Sequence, residues 1–177
     1  SKSMRNLCVA VAQAGMVGFS VEYRLAPAHP FPAAIDDVQD AVQWLREPEQ
    51  VNKFGIDPKR IGTIGSSAGA TLAMELGTLG EGDLHSGARV AAVVSLSGAS
   101  DVTPAGRALG DLGEGPLDLL SGYLGCTDLD ACPQATDASP LYQVDPTDAP
   151  MFIVHSLDEF IPVAQAEVMI QAFHDAD

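Results

Sequence analysis

The chain has 177 residues, of which 46% are hydrophobic and 19% charged, and this composition supports one domain with a buried core. Its 24 acidic and 9 basic residues give a formal net charge of −15, which disfavours nucleic acids and anionic membranes as partners. No apolar stretch reaches the ~18 residues that would span a bilayer. We therefore expect a soluble protein, cytoplasmic or secreted, without stable membrane insertion.

Strand and helix patterns alternate along the first half of the chain. The apolar run 16–23 (MVGFSVEY) is rich in β-forming residues and predicts a strand. Apolar residues at helical spacing in 35–45 predict a helix, which Pro48 is expected to end. A short strand is predicted at 61–65 (IGTIG), and a helix is predicted over 70–80.

The second half begins with 89–98 (RVAAVVSLSG), a continuous apolar run that is typical of a strand covered on both faces. Residues 99–150 are rich in Gly, Pro, Asp and Thr and predict a long excursion, partly helical at 116–125. A strand at 150–156 and a helix at 162–173 follow. Strands that alternate with helices predict a parallel α/β sheet.

The segment GSSAG, Gly65 to Gly69, matches the G-x-S-x-G turn that presents a serine nucleophile between a strand and a helix. The glycines are expected to leave room on either side of Ser67 in a crowded turn. The backbone N–H of Ala68, at the start of the helix, would then face a developing oxyanion. The alternative is a plain Gly-Ser turn without chemistry.

The three cysteines, Cys8, Cys126 and Cys132, form no C-x-x-C pair and no four-ligand cluster, so we expect no zinc site. We also expect no other metal and no cofactor. Cys126 and Cys132 flank a five-residue segment and are close enough in sequence to close a small loop. Whether they form a disulfide stays open, and such a bond would favour an oxidising compartment.

Three segments carry a family resemblance: 23–37 (YRLAPAHPFPAAIDD), 56–73 (IDPKRIGTIGSSAGATLA) and 138–167 (ASPLYQVDPTDAPMFIVHSLDEFIPVAQAE). They resemble the α/β-hydrolase superfamily, in particular its hormone-sensitive-lipase-like and feruloyl-esterase-like carboxylesterases. The resemblance implies a partial α/β-hydrolase domain over 1–177, with 99–150 as a lid-like insertion. It also implies that early strands and the last strand of the fold lie outside the chain.

The resemblance implies roles for individual residues. Ser67 would be the nucleophile, and Asp158, in HSLDEFIP, would be the acid that orients a catalytic histidine. Asp158 as a helix-capping residue is the structural alternative, and Asp101, after the strand at 89–98, is a weaker rival for the acid. Two departures from the family pattern matter most: no histidine is well placed after Asp158, and no HGG string precedes Val17. We expect both elements outside this chain, which would leave it weak or inactive by itself.

Two further features have structural interpretations. Arg24 and Asp37 belong to the motif YR…DD, and we interpret them as an ion pair that ties a strand end to the next helix. Trp44, on the predicted helix, is expected to take part in core or interface packing.

Three functions compete. The leading hypothesis is a serine carboxylesterase that cleaves a small-molecule ester through an acyl-enzyme intermediate. The second is a serine peptidase or amidase of the same fold, and the third is a non-catalytic, hydrolase-like binding domain. The sequence does not define the acyl group, the alcohol or the oligomeric state.

Overall fold

A computed structural model of the chain describes residues 4–110 and 114–176. Residues 1–3, 111–113 and 177 of the predicted 1–177 domain lie outside the described residues. The strands are β1 (Thr63–Ser66), β2 (Val93–Leu96) and β3 (Met151–Val154). The α-helices are α1 (Arg5–Gln13), α2 (Ala33–Arg46), α3 (Pro48–Phe54), α4 (Ala68–Gly77), α5 (Pro104–Arg107), α6 (Glu114–Leu124), α7 (Gln134–Asp137) and α8 (Ala164–Ala176). A 3₁₀ helix occupies Pro140–Gln143.

The three strands form one parallel sheet in the order β1–β2–β3, which confirms the predicted parallel α/β sheet. Ser66 pairs with Leu96, and Leu96 pairs with Val154, so the strands end at the same level. We call this side the C-terminal edge of the sheet. In open α/β sheets, residues that follow the carboxyl ends of the strands form the ligand-binding crevice.

The predicted strand at 16–23 is wrong, because this segment has no regular secondary structure and pairs with no strand of the described residues. A run with β propensity becomes a strand only where a neighbouring backbone satisfies its N–H and C=O groups. The apolar residues of this segment include Phe19, which packs against other aromatic side chains instead. Phe19 contacts Trp44 and Phe54, with ring centroids 6.3 and 5.1 Å away. Trp44 stays 41% exposed, so it packs at the surface.

The main core lies between the sheet and helices α2 and α4. Its buried side chains include Ile35, Val38 and Val42 of α2 and Leu72 and Leu76 of α4, which confirms both predicted helices. Helices α1 and α3 are not anticipated by the sequence patterns. Pro48 begins α3, and the first position of a helix tolerates proline because no backbone N–H is needed there. None of the described helices combines the length and hydropathy that a membrane span requires.

The predicted ion pair between Arg24 and Asp37 is present. The guanidinium Nη2 lies 2.8 Å from Asp37 Oδ1, and the Arg24 backbone N–H donates to Oδ2 at 2.7 Å. These hydrogen bonds lower the pKa of Asp37. The pair joins the segment after 16–23 to α2, although that segment is not the strand end that the sequence suggests.

The excursion over 99–150 has its own apolar cluster, which includes Val102, Leu124, Ala135 and Ala138. Cys126 and Cys132 form a disulfide beside this cluster, with their Cα atoms 5.8 Å apart. Of the two alternatives that the sequence leaves open for this pair, the structure has the disulfide. The predicted helix at 116–125 corresponds to α6.

Helix α6 is tied to α4 by a partly buried hydrogen bond. The hydroxyl of Tyr123 donates to Glu75 Oε1 at 3.1 Å, and the Glu75 side chain is buried. Burial raises the pKa of Glu75 to about 8, because the apolar surroundings disfavour the carboxylate. Glu75 is therefore protonated in the folded protein at neutral pH.

This raised pKa predicts that stability falls as the pH rises. Between pH 4.5 and about 8 the folded chain keeps a proton on Glu75 that the unfolded chain has lost, so deprotonation favours unfolding. We expect Glu75→Gln to reduce the loss of stability between pH 5 and pH 8 by on the order of 2–3 kcal/mol. Urea denaturation of both proteins across this range measures it, with Glu81→Gln as an exposed control. Parallel pH dependences of wild type and Glu75→Gln would contradict the prediction.

Candidate active site

Ser67 lies on the turn between β1 and α4, with φ 54° and ψ −124°. This left-handed conformation is uncommon for a residue other than glycine and carries strain of order 1–3 kcal/mol. Backbone hydrogen bonds hold it: the Ser67 N–H donates to the Leu96 carbonyl at 3.0 Å, and the Ser67 carbonyl accepts from the N–H groups of Ala70 and Thr71 at 2.8 and 3.2 Å. The side chain is exposed at the C-terminal edge.

The two glycines of the motif differ in what they permit. A Cβ on Gly65 would overlap the backbone of Gly69 and lie 2.7 Å from the Ala70 nitrogen. Gly65 is thus required for the close approach of β1 to the first turn of α4. A Cβ on Gly69 would meet no described atom within 4 Å, so the expectation that Gly69 also provides room in the turn is wrong among the described residues.

Ala68 is the first residue of α4 and is exposed. The first backbone N–H groups of a helix have no intrahelical acceptor and lie at the positive end of its dipole. The position therefore suits an oxyanion donor. That role stays a prediction.

Asp158 follows β3 by four residues, in an exposed loop. Because β1 and β3 run parallel on either side of β2, the loop that carries Asp158 leaves the same edge as Ser67, from a strand two strand spacings or roughly 10 Å away. The Asp158 N–H donates to Ser156 Oγ at 3.3 Å. Its carboxylate has no hydrogen-bond partner among the described residues. Its role as the acid is a proposal developed below.

Asp101, the rival acid, is engaged elsewhere. It is 4% exposed, its Oδ1 accepts from the Thr103 N–H at 2.8 Å, and its Oδ2 accepts from the Tyr142 hydroxyl at 3.0 Å. Gln165 of α8 donates to the Asp101 carbonyl at 2.9 Å. Both carboxylate oxygens are used in fastening the start of the excursion, which favours Asp158 over Asp101.

All four histidines lie in the described part of the chain, and none has a hydrogen bond to Ser67 or Asp158 there. His155 is committed through Nε2 to the Ile161 carbonyl at 2.8 Å, a contact that closes the loop carrying Asp158. His174 lies in the last turn of α8, about 13 Å along the helix from Gln165, which contacts the chain beyond β2. His29 and His85 are exposed in other loops.

The structure gives no sign of a metal centre: within residues 4–110 and 114–176, no three His, Cys, Asp or Glu side chains cluster as ligands. A cavity of about 300 Å³ lies near the other end of α4, where Glu75, Thr78 and Leu79 contribute to its wall. Ser67, at the start of α4, does not line it.

The sequence patterns do not predict the structural roles of two residues near Ser67, Thr71 and Ser97. Thr71 Oγ1 donates to the Ala99 carbonyl at 3.0 Å and accepts from the Ala99 N–H at 3.1 Å, so it ties α4 to the chain after β2. Ser97 has φ 55°, a positive value like that of Ser67. The Ser-Gly dipeptide at 97–98 is a turn signal that could have marked the end of β2.

Comparison with known proteins gives a family match and partial relatives. The BD-FAE family model matches residues 1–173. The chain is 32% identical to Esterase LipC of Mycobacterium tuberculosis over 174 residues, 91% of this chain and 41% of LipC. It is 45% identical to arylacetamide deacetylase of Oryctolagus cuniculus over 58 residues, 33% of this chain and 15% of that protein. The chain therefore spans less than half of either relative.

The fold has clear counterparts among solved structures. The acetyl ester-xyloside bifunctional hydrolase from Caldicellulosiruptor lactoaceticus superposes with a TM-score of 0.79 at 24% identity, over 97% of this chain and 61% of that chain. This likeness confirms the predicted α/β-hydrolase fold.

The contrast between the two glycines predicts opposite effects of alanine. Gly65→Ala should destabilise the chain by several kcal/mol, because rigid backbone blocks the added Cβ. Gly69→Ala should be neutral or stabilise by up to about 1 kcal/mol, since alanine is the better helix former. Urea denaturation of the two variants and the wild type is the measurement. Equal stability of the two variants would show that the close approach at Gly65 is not a constraint.

Proposed function

This chain belongs to the BD-FAE family, and on that premise we propose that it carries the nucleophile and the acid of a serine hydrolase that cleaves carboxylic esters. The observation that carries the proposal is the strained strand-to-helix turn that exposes Ser67 at the C-terminal edge. The name of the relative Esterase LipC supports the same reaction class. The substrate is a small-molecule ester, and the proposed reaction uses no cofactor.

In the proposed reaction, Ser67 Oγ attacks the ester carbonyl carbon while its proton passes to a histidine base. The resulting oxyanion accepts a hydrogen bond from the Ala68 N–H. The base returns the proton to the departing alcohol, which leaves an acyl group on Ser67. Water, deprotonated by the same base, then attacks the acyl carbon, and the base returns that proton to Ser67 Oγ as the bond to the acyl group breaks and the acid leaves. The Asp158 carboxylate holds the imidazole in position and stabilises its charged form.

We propose that this base and a second oxyanion donor come from sequence outside the 177 residues. The commitment of His155 to Ile161 and the position of His174 at the end of α8 support this assignment. The strands that carry Ser67 and Asp158 lie two strand spacings apart, roughly 10 Å, with the end of β2 between them, so an imidazole from elsewhere would sit over the end of β2.

An amidase is the second candidate, because attack by a serine is common to both reactions and because one relative is named arylacetamide deacetylase. Turnover of an aryl acetate against the matching aryl acetamide by the full-length protein distinguishes the two. A non-catalytic binding domain is the third candidate, and it predicts no serine-dependent turnover of either compound.

We also propose that the excursion over 99–150 covers part of the Ser67 region as a lid-like insertion. Its start is attached close to the C-terminal edge, since Ser100 and Asp101 donate their backbone N–H groups to Gln165 Oε1 at 2.9 and 2.8 Å. Its own apolar cluster and the Cys126–Cys132 disulfide would give it a defined shape. Insertions at this edge commonly shape the substrate pocket.

The reaction predicts how turnover of p-nitrophenyl esters depends on the triad. In the full-length protein, Ser67→Ala should lower kcat by at least about 10³-fold, and Asp158→Asn by about 10²–10⁴-fold. The 177-residue chain alone should be nearly inactive, because a serine hydroxyl without a base is a weak nucleophile. Asp40→Asn, at an exposed position of α2, is a matched surface control. Strong turnover by the chain alone, abolished by His174→Ala, would contradict the placement of the base outside it.

The lid proposal predicts a change in substrate preference. Exchange of residues 101–120 in the full-length protein for the corresponding segment of a related esterase should change the ratio of kcat/KM values for acetyl and longer acyl esters, because this segment would contact the acyl chain. Steady-state kinetics with p-nitrophenyl esters of increasing acyl length measure that ratio. An unchanged ratio in a stably folded exchange protein would reject the lid.

A further inference from the structure

Ser67 and Ser97 are the two non-glycine residues with positive φ in the described part of the chain, at 54° and 55°. Strained backbone of this kind persists only where the surrounding structure holds it, and it is concentrated at functional sites. Ser67 is already explained by the strand-to-helix turn. Ser97 follows β2, the central strand, and has no place in the reaction described so far.

The two serines are neighbours at the C-terminal edge. Ser66 pairs with Leu96, so Ser67 and Ser97 each lie one residue beyond a paired position. The Ser67 N–H donates to the Leu96 carbonyl at 3.0 Å, and the Ser97 N–H donates to the Val154 carbonyl at 2.8 Å. These bonds extend the parallel ladder by one residue, which places the two serine backbones roughly 5 Å apart.

Beyond Ser97 the chain is fastened onto α4. A Cβ on Gly98 would lie 2.8 Å from both Ala70 Cβ and Met74 Cε, so the Gly98 backbone packs closely against the helix. Both backbone polar groups of Ala99 are bonded to the Thr71 hydroxyl. The continuation of β2 is thereby drawn to the helix side of the sheet, away from the space between the other two strand ends.

We propose that Ser97 is a positioning residue, and that the strained turn at Ser97–Gly98 forms the floor on which the catalytic base sits between Ser67 and Asp158. This inference rests on the proposed function. The order β1–β2–β3 places the end of β2 between the nucleophile and the acid. An imidazole that bridges these groups must therefore lie over Ser97.

The size of the side chain at position 97 matters in this arrangement. Ser97 is partly exposed, and its hydroxyl has no hydrogen-bond partner in residues 4–110 and 114–176. A small side chain at position 97 leaves space for the imidazole above the turn, whereas a larger side chain would displace the imidazole. Displacement of a reacting group by about 1 Å can cost on the order of 10²-fold in rate.

The test compares Ser97→Asn with the conservative variant Ser97→Gly in the full-length protein. Glycine adopts positive φ without strain and asparagine does so more readily than most residues, but only asparagine adds bulk. We expect Ser97→Asn to lower kcat for p-nitrophenyl acetate by about tenfold or more. KM should stay within about twofold, and the acidic limb of the kcat/KM pH profile should shift. Ser97→Gly should keep most of the wild-type kcat. Ser86→Asn, in a distant turn, serves as the control.

The outcomes separate the two proposals. If Ser97→Asn matches Ser97→Gly in kcat and in pH profile, the positioning role of the Ser97–Gly98 turn is rejected, while the proposed function stands. The same conclusion follows if both variants lose kcat equally, because the hydroxyl and not the bulk would then matter. If the full-length protein shows no ester turnover that depends on Ser67, the proposed function is rejected, and the positioning role of Ser97 is rejected with it. Thermal unfolding of each variant shows whether a loss reflects misfolding.

Discussion

The left-handed backbone at Ser67 is the constraint on which the rest of the structure depends. Strand β1 must reverse into α4 within one residue, and this reversal brings Gly65 against the backbone of Gly69. The local strain, of order 1–3 kcal/mol, is offset by burial of α4 against the sheet and α2. Hydrogen bonds to Leu96 and from Ala70 fix the conformation. An exposed serine at the end of a buried helix is the consequence.

The three strand ends then diverge in different directions, and their divergence opens the C-terminal edge. Strand β1 enters α4 at Ser67, and the chain after β2 is drawn onto α4 by Thr71. The chain after β3 forms a loop that His155 closes through the Ile161 carbonyl. The Ser67 backbone takes part in the first connection, but the side chains of Ser67 and Asp158 have no hydrogen bond in the described part of the chain. The two side chains proposed as nucleophile and acid therefore take no part in holding these connections.

The sequence patterns predict what depends on local chemistry. Helices α2 and α4, the parallel strands and the Arg24–Asp37 pair all follow from periodicity or from family motifs, and each is present. The strand expected at 16–23 is absent among the described residues, because a strand needs a neighbouring strand to pair with. The β propensity of the residues does not show whether such a neighbour is present. The engagement of Asp101 by Thr103 and Tyr142, and the turn at Ser97, arise from contacts between distant segments. Such contacts leave no periodic signal in the sequence.

The central claim, that Ser67 is an activated nucleophile, is tested most directly by covalent labelling. The full-length protein would be treated with a fluorophosphonate, digested, and mapped by mass spectrometry. The account predicts one adduct, on the peptide that contains Ser67, with labelling abolished by Ser67→Ala and strongly slowed by Asp158→Asn. Absence of an adduct on a folded protein, or labelling that persists in Ser67→Ala, would contradict it.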